Sequence, residues 1–262
     1  MSEPRGRTIP LSRTRRFILD LVHFASKVPS VPVSRTMDVG PLLAARSNHP
    51  SRPSWALLFM KAYARVASDH PELRRALLTF PTTRLYEHSI NICALAIERS
   101  HEGEDGIFVG LFRAPERQTL NELQASLRFY KDTPVEQVGF FRQVLRIGSL
   151  PTPLRRFLWW STLAVSGVKR AKRFGTFGLS TYGALGAEQV HPISPLSTTL
   201  TFGPIDTEGR VCVKLIYDHR VVDGAYIARR LADIERVLQT EILEELQRAI
   251  PSRTAALGMM HT

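Results

Sequence analysis

The chain predicts an α/β domain, and three observations carry that expectation. Val211, Val213, Leu215 and Tyr217 alternate with Cys212, Lys214 and Ile216 in a strand's period of two, and Ile227, Leu231, Ile234 and Leu238 then recur at helical spacing. Residues 85–97 are apolar on both faces at Ile90, Ile92, Leu95 and Ile97, as in a strand covered from both sides. Finally, 262 residues with 44% hydrophobic content can bury one sizeable core.

Taken in order, the chain opens with a basic tail at 1–8. Ser12 is placed to cap a helix whose apolar face is Ile18, Leu21, Val22 and Ala25, and Pro29 and Pro32 stop it. Val31, Val33, Met37 and Val39 alternate with polar partners as a strand. Ser54 opens a long helix through Trp55, Leu58, Ala62 and Val66, and Pro71 suits the first turn of a short one. Residues 107–112 predict a neighbour for the doubly covered strand, across a loop at 103–106. Thr119 with Glu122 is a capping-box signature for a helix through Leu123, Leu127 and Tyr130. Residues 140–173 hold Phe157, Leu158, Trp159, Trp160, Leu163, Ala164 and Val165 between basic residues and predict one further helix. A glycine-rich block at 175–186 and a strand at 197–202 lead into the final strand and helix.

The net charge of +11 is concentrated. Residues 1–16 hold Arg5, Arg7, Arg13, Arg15 and Arg16 against Glu3, and residues 151–175 hold Arg155, Arg156, Lys169, Arg170, Lys172 and Arg173 with no acid. The rest is nearly balanced, which argues for two local basic surfaces and against a nucleic-acid binder. Cys93 and Cys212 fall inside apolar strand patterns and read as reduced core residues, with no metal-ligand spacing nearby. The basic start lacks an uninterrupted apolar segment, since Asp20 and His23 break the stretch after it, and no run approaches the roughly 20 apolar residues of a spanning helix. A cytoplasmic chain is expected.

Where the last strand meets its helix the sequence reads Asp218, His219, Arg220, Val221, Val222, Asp223, Gly224. A strand-to-helix turn can hold a side chain rigidly at a cleft's edge, and Gly224 is expected to take an unusual backbone angle there. This motif resembles that of the catalytic domain of the dihydrolipoamide acyltransferases of 2-oxo acid dehydrogenase complexes, which shares its fold with chloramphenicol acetyltransferase. The family's pattern of Asp, His, Arg, two variable residues, Asp, Gly is matched in register. A second block agrees: Gly175, Thr176, Phe177, Gly178, Leu179, Ser180 and Gly183. The words His70, Pro71, Glu72, Leu73 also fit. Asn91, Ile92, Cys93 and the run Gly106 to Phe112 depart from the family's pattern, so the acyl group and its acceptor stay open.

The resemblance implies a chloramphenicol acetyltransferase-like fold, an α/β (α+β two-layer) sandwich with a mixed sheet covered by helices. The domain would span 9–250, with a hydrophobic and basic insertion at 140–173 and a tail at 251–262. His219 would be the general base, Ser180 a hydrogen-bond donor to the tetrahedral intermediate, and Asp223 an acid that fixes the loop by pairing with an Arg. Arg15 falls on the family's early Arg and is the expected partner, with Asp218, Arg220 and Gly224 supporting the site. Free CoA has a thiol of ordinary pKa about 8.5, and a His that titrates near 6.5 suits removal of its proton. CoA or acyl-CoA is the implied substrate, with no metal and no covalently bound lipoyl group in this chain. The acyl group or acceptor would then come from a separate lipoyl protein, an acyl carrier or a small molecule. The family implies a homotrimer or an assembly of trimers, with each site shared between two subunits. A non-catalytic scaffold or CoA-binding protein on the same fold is the alternative. The Trp-containing and basic segment 151–173 has the composition of a helix lying in a membrane interface. The other reading, and the favoured one, is a helix that packs against the trimer with its basic end meeting the CoA phosphates.

Overall fold

A computed structural model describes residues 6–249. The tail at 251–262 lies outside the described residues. Chain order is α1 (Arg13–Ala25), β1 (Ser30–Asp38), α2 (Gly40–Asn48), α3 (Trp55–Asp69), β2 (Arg75–Leu78), β3 (Arg84–Glu87), β4 (Ile92–His101) and β5 (Glu104–Arg113). It continues with α4 (Leu120–Asp132), α5 (Gly139–Gly148), α6 (Thr152–Ala164), α7 (Gly167–Phe174), β6 (Phe177–Leu179), β7 (Thr198–Phe202), β8 (Arg210–Asp218), α8 (Gly224–Val237) and α9 (Leu243–Arg248).

Six strands form one mixed sheet in the order β1-β8-β7-β6-β4-β5, and β2 and β3 form a separate antiparallel pair. β6 runs parallel to both of its neighbours, and the remaining pairs are antiparallel. Pro32 is tolerated in β1 because that strand is an edge. On one face of the sheet α3 and α8 bury Phe59, Tyr63, Ile227 and Leu231 against Leu95, Phe177, Leu200 and Leu215. This is the main core. α1, α6 and α7 cover the other side, where Phe17, Trp159 and Phe174 meet, and Trp159 stacks on Phe24 with ring centroids 5.6 Å apart.

The capping box at Thr119 and Glu122 forms as read, and Ser12 accepts from the Arg15 amide at the start of α1. Two expectations change, and one element was not anticipated. The stretch 85–97 is not one strand: β3 belongs to the small sheet and β4 to the large one. The break falls where buried His88 donates its amide to the Arg74 carbonyl and the Asn91 side chain turns to the Ala64 carbonyl of α3, 2.9 Å away. Such local hydrogen bonds redirect the backbone where apolar content alone predicts continuity. Residues 140–173 fold as parts of three helices, because Pro151 and Ser166 end one and start the next. α2 follows Val39 with Pro41 in its first turn and was hidden by its weak amphipathic pattern.

The segment 140–173 is clamped to the N-terminal helix by a buried ion pair. Arg155 Nε lies 2.7 Å from Asp20 Oδ2, its Nη1 donates to the Leu150 carbonyl at 3.0 Å, and the two side chains are only 5% and 1% exposed. Arg170 is also buried, its guanidinium donating to the carbonyls of Leu77, Leu163 and Pro195. Burial pushes it down to about 10, so it stays charged at neutral pH. Arg155, Trp159 and Arg170 are therefore withdrawn from any surface role. Leu154, Phe157 and Trp160 of α6 remain exposed, and the Trp160 ring lies against Phe80 and Phe157 at 5.5 and 5.9 Å.

Candidate active site

β8 delivers the motif to its own end. The Asp218 amide donates to the Ser197 carbonyl, and the His219 amide donates to the Pro29 carbonyl at 3.2 Å, so the turn is pinned from both flanks. Asp218 is buried and accepts from Arg220 twice, from Nε at 2.9 Å and Nη2 at 2.8 Å, and from the Arg220 amide at 3.0 Å. Its carbonyl also accepts from the amides of Val221 and Val222. A buried carboxylate that satisfies a guanidinium and caps its own turn fixes the loop. The Arg220 guanidinium holds its proton more tightly than usual because of that bond.

His219 projects from this turn with its side chain 52% exposed. Its Nδ1 lies 3.7 Å from Asp223 Oδ1, and its ring is 5.5 Å from that of Tyr217. Asp223 is the N-cap residue of α8, where a negative charge is favoured. Its side chain is 86% exposed and meets no Arg among the described residues. The expected pairing with Arg15 does not form within one chain. Arg15 is an exposed residue of α1, whose start lies against the β4–β5 hairpin, as Thr14 does against Gly106. β5 is the opposite edge of the sheet from β1 and β8. Gly224 also differs from expectation. It has no positive φ and opens α8, and a Cβ there would sit 2.8 Å from Tyr217 Oη. Space for the tyrosine, and not a backbone angle, is what requires glycine.

Ser180 follows β6, its amide donating to the Leu200 carbonyl at 3.1 Å. Its hydroxyl has no hydrogen-bond partner among the described residues and faces a cavity of about 240 Å³ between the sheet and α1 and α7. Ala94, Ala96, Val109, Phe17, Leu21 and Phe174 give that cavity apolar walls. Buried Thr199 lines it too, with its Oγ1 unpartnered. Ser197, just before β7, and Thr199 and Thr201 within it recur at every second residue and all have unpartnered buried hydroxyls, a feature hidden in the sequence because the segment reads simply as a strand.

The register fixes how far apart the two halves lie. Leu179 is level with Leu200, which is level with Leu215, so Ser180 is level with Thr201 and Lys214. His219 lies five residues further along β8, about 17 Å at roughly 3.4 Å per residue. One chain therefore does not bring His219 and Ser180 together. Asp218, His219, Arg220, Asp223 and Gly224 form one cluster, Ser180 belongs to the cavity beyond, and Arg15 to neither.

The fold is that of the dihydrolipoamide acyltransferase catalytic cores, carrying at this turn a histidine beside a carboxylate and, just after β6, a serine hydroxyl with no partner among the described residues. Among solved structures, a probable dihydrolipoamide acetyltransferase from Listeria monocytogenes is similar at 17% identity and TM-score 0.64, over 95% of this chain and 97% of that one. The dihydrolipoamide acetyltransferase of Azotobacter vinelandii, in which a serine, a histidine and an asparagine were examined for their catalytic role, is similar at 18% identity and TM-score 0.64, over 93% and 95%. The truncated catalytic core of the 2-oxoacid dehydrogenase multienzyme complex from Thermoplasma acidophilum is similar at 17% identity and TM-score 0.65, over 90% and 99%. No protein-family model and no curated protein sequence matches the chain.

Proposed function

We propose that this protein is a CoA-dependent acyltransferase in which His219 of one copy works on the Ser180 side of another. The observation that carries the reading is the register itself. Two groups suited to acyl transfer stand at opposite ends of one sheet, about 17 Å apart along the strands, whereas a general base must come within about 3 Å of the proton it removes. A second copy docked end to side would bring a base to the serine. The similar Azotobacter enzyme, whose serine, histidine and asparagine were examined for catalysis, supports the assignment, and its histidine and asparagine share the spacing of His219 and Asp223.

In this mechanism the Nδ1 edge of His219 faces Asp223, leaving Nε2 for the CoA thiol. Nε2 takes the thiol proton as the sulfur attacks the thioester carbonyl, a contribution of about 10² to 10⁴ in rate. The Ser180 hydroxyl donates to the resulting oxyanion, worth on the order of 3 kcal/mol. Collapse breaks the original carbon–sulfur bond, and the departing thiolate recovers the proton from His219. Reversal of the same steps, or an alcohol or amine in place of one thiol, uses the same groups.

The test mixes two inactive variants. His219→Ala should lower transfer from acyl-CoA at least about a hundredfold. Mixing it with Ser180→Ala under conditions of subunit exchange should restore part of the activity, since some sites then combine an intact His with an intact Ser. Activity from a species that light scattering shows to be monomeric sinks the shared site. CoA binding without transfer by the parent protein would favour the scaffold reading instead.

We read the chain as cytoplasmic, with free Cys93 and Cys212 as support. A peripheral membrane contact is favoured by the exposed Phe80, Phe157 and Trp160 cluster, with the exposed Arg84 guanidinium held on the Phe80 carbonyl beside it. No helix among the described residues is long and apolar enough to cross a membrane. Sedimentation with anionic but not neutral vesicles at low salt is expected, and equal sedimentation with both ends that reading.

A further inference from the structure

The cavity beside Ser180 carries information about what it holds. Its walls are mostly apolar, with polar exceptions that include Ser180, Thr199 and Gln189; its rim includes exposed Val22 and Ile193, and it abuts a smaller cavity under α5–α7, with Phe17, Phe140 and Phe174 forming the shared wall. One charged side chain lines both spaces, that of Arg173. Arg173 Nη1 donates to Thr162 Oγ1 at 3.0 Å. Among the described residues it makes no ion pair and no other hydrogen bond, and none of its nitrogens is a buried unpartnered atom. Its remaining donors are open to the cavity or to solvent. No acid lies between Glu136 and Glu188 in the chain, so the inserted segment brings no carboxylate of its own.

A guanidinium on an apolar wall with free donors is costly when desolvated by a neutral ligand and strongly favoured by an anionic one. The topology also sets where the charge stands. Arg173 lies at the end of α7, before β6, and Ser180 lies just after β6, so the strand separates the two. Thr176 to Ser180 span about 13 Å at roughly 3.3 Å per residue.

We propose that this cavity binds an aliphatic chain that bears an anionic group at the Arg173 end and presents its other end to Ser180. The substrate class is thus an acyl group or acceptor with a flexible hydrocarbon chain and a distal carboxylate or comparable anion. This rests on the acyl-transfer reading only in taking Ser180 as the reacting end. The inserted helices, by supplying Phe140, Phe174 and Arg173, create the specificity.

Binding without turnover tests it. Decanoate, decan-1-ol and decylammonium share one chain and differ in charge, and each is titrated below its micelle concentration into the full protein and into His219→Ala. Decanoate should bind at least about tenfold more tightly than decan-1-ol, and decylammonium more weakly than either. Arg173→Met should erase the preference for decanoate while keeping decan-1-ol binding, and Arg173→Lys should retain much of it. Ala96→Phe, which fills the apolar wall, should weaken all three probes. Retention of decan-1-ol binding by Arg173→Met shows that its cavity is folded. Equal affinity for decanoate and decan-1-ol in the parent, or an unchanged preference in Arg173→Met, overturns the proposal. So does failure of all three probes to bind. These readouts do not depend on acyl transfer: absence of transfer with intact decanoate preference removes the function but not the site, and transfer without preference does the reverse.

Discussion

Removing Arg155 should reveal how much of the domain's stability depends on clamping α6 to α1. In Arg155→Met the Asp20 carboxylate keeps its 1% exposure but loses a two-pronged partner at 2.7 and 3.4 Å. Breaking one side of such a buried pair costs about 3–5 kcal/mol. The nearest remaining cation is Arg156, whose Nε lies 3.8 Å from Asp20 Oδ1 but whose side chain is 45% exposed, so compensation is partial and the expected loss is about 3 kcal/mol. At roughly 2–4 °C per kcal/mol for a chain near this size, the melting midpoint should fall by about 6–12 °C at matched protein concentration. Asp20→Asn should lose a comparable amount. The double variant Asp20→Leu with Arg155→Met should regain most of it, because no charge is then left stranded. Urea titrations followed by circular dichroism measure all three. A loss under about 1 kcal/mol in the single variants, as for an exposed pair, or a double variant no better than the singles, refutes the reasoning.

Two other outcomes rest on buried groups. Burial, with the Arg170 and Arg74 cations adding to it, pushes the His88 imidazole down to about 4. The unfolded chain takes up that proton near the usual 6.5, so stability is full above pH 6.5 and falls by up to about 3 kcal/mol as pH drops toward 4. His88→Gln should flatten that slope in urea titrations run across the window, and an unchanged slope means another group supplies it. Gly224→Ala places a Cβ 2.8 Å from Tyr217 Oη, too close for the tyrosine to stay, and its ring neighbours His219. Acyl transfer should drop roughly tenfold with little change in melting temperature, and adding Tyr217→Phe should recover it, whereas no recovery places the defect elsewhere.

Much of the fold was legible in the residues themselves. The alternation at 211–217 and the helical repeat after Gly224 define β8 and α8 because both elements bury one regular face. The Thr119 and Glu122 box works for a local reason, needing only atoms three residues apart. What pattern reading could not supply was relational. Asp20 looked like a break in an apolar face, yet its partner lies 135 residues away. Arg155, Arg170 and Trp159 looked like surface composition, and burial against other elements gives them structural work. The motif residues could be named by resemblance, but only the register shows that Ser180 and His219 lie at opposite ends of one sheet.

The pairing of β1 with β8 sets an order in time as well as in space. Ser30 lies opposite Asp218, so the first strand waits for nearly the whole chain before its partner exists. At about 5–20 residues per second of synthesis, that wait is roughly 10–40 s. Through it β1 is a strand without a ladder, the kind of segment that pairs with a stranger's edge. Pro32 inside it, unable to donate, and the exposed Arg35 are then guards for the nascent chain as much as features of the finished sheet. Replacing Pro32 by Val should leave the folded protein intact and raise the aggregated fraction during synthesis.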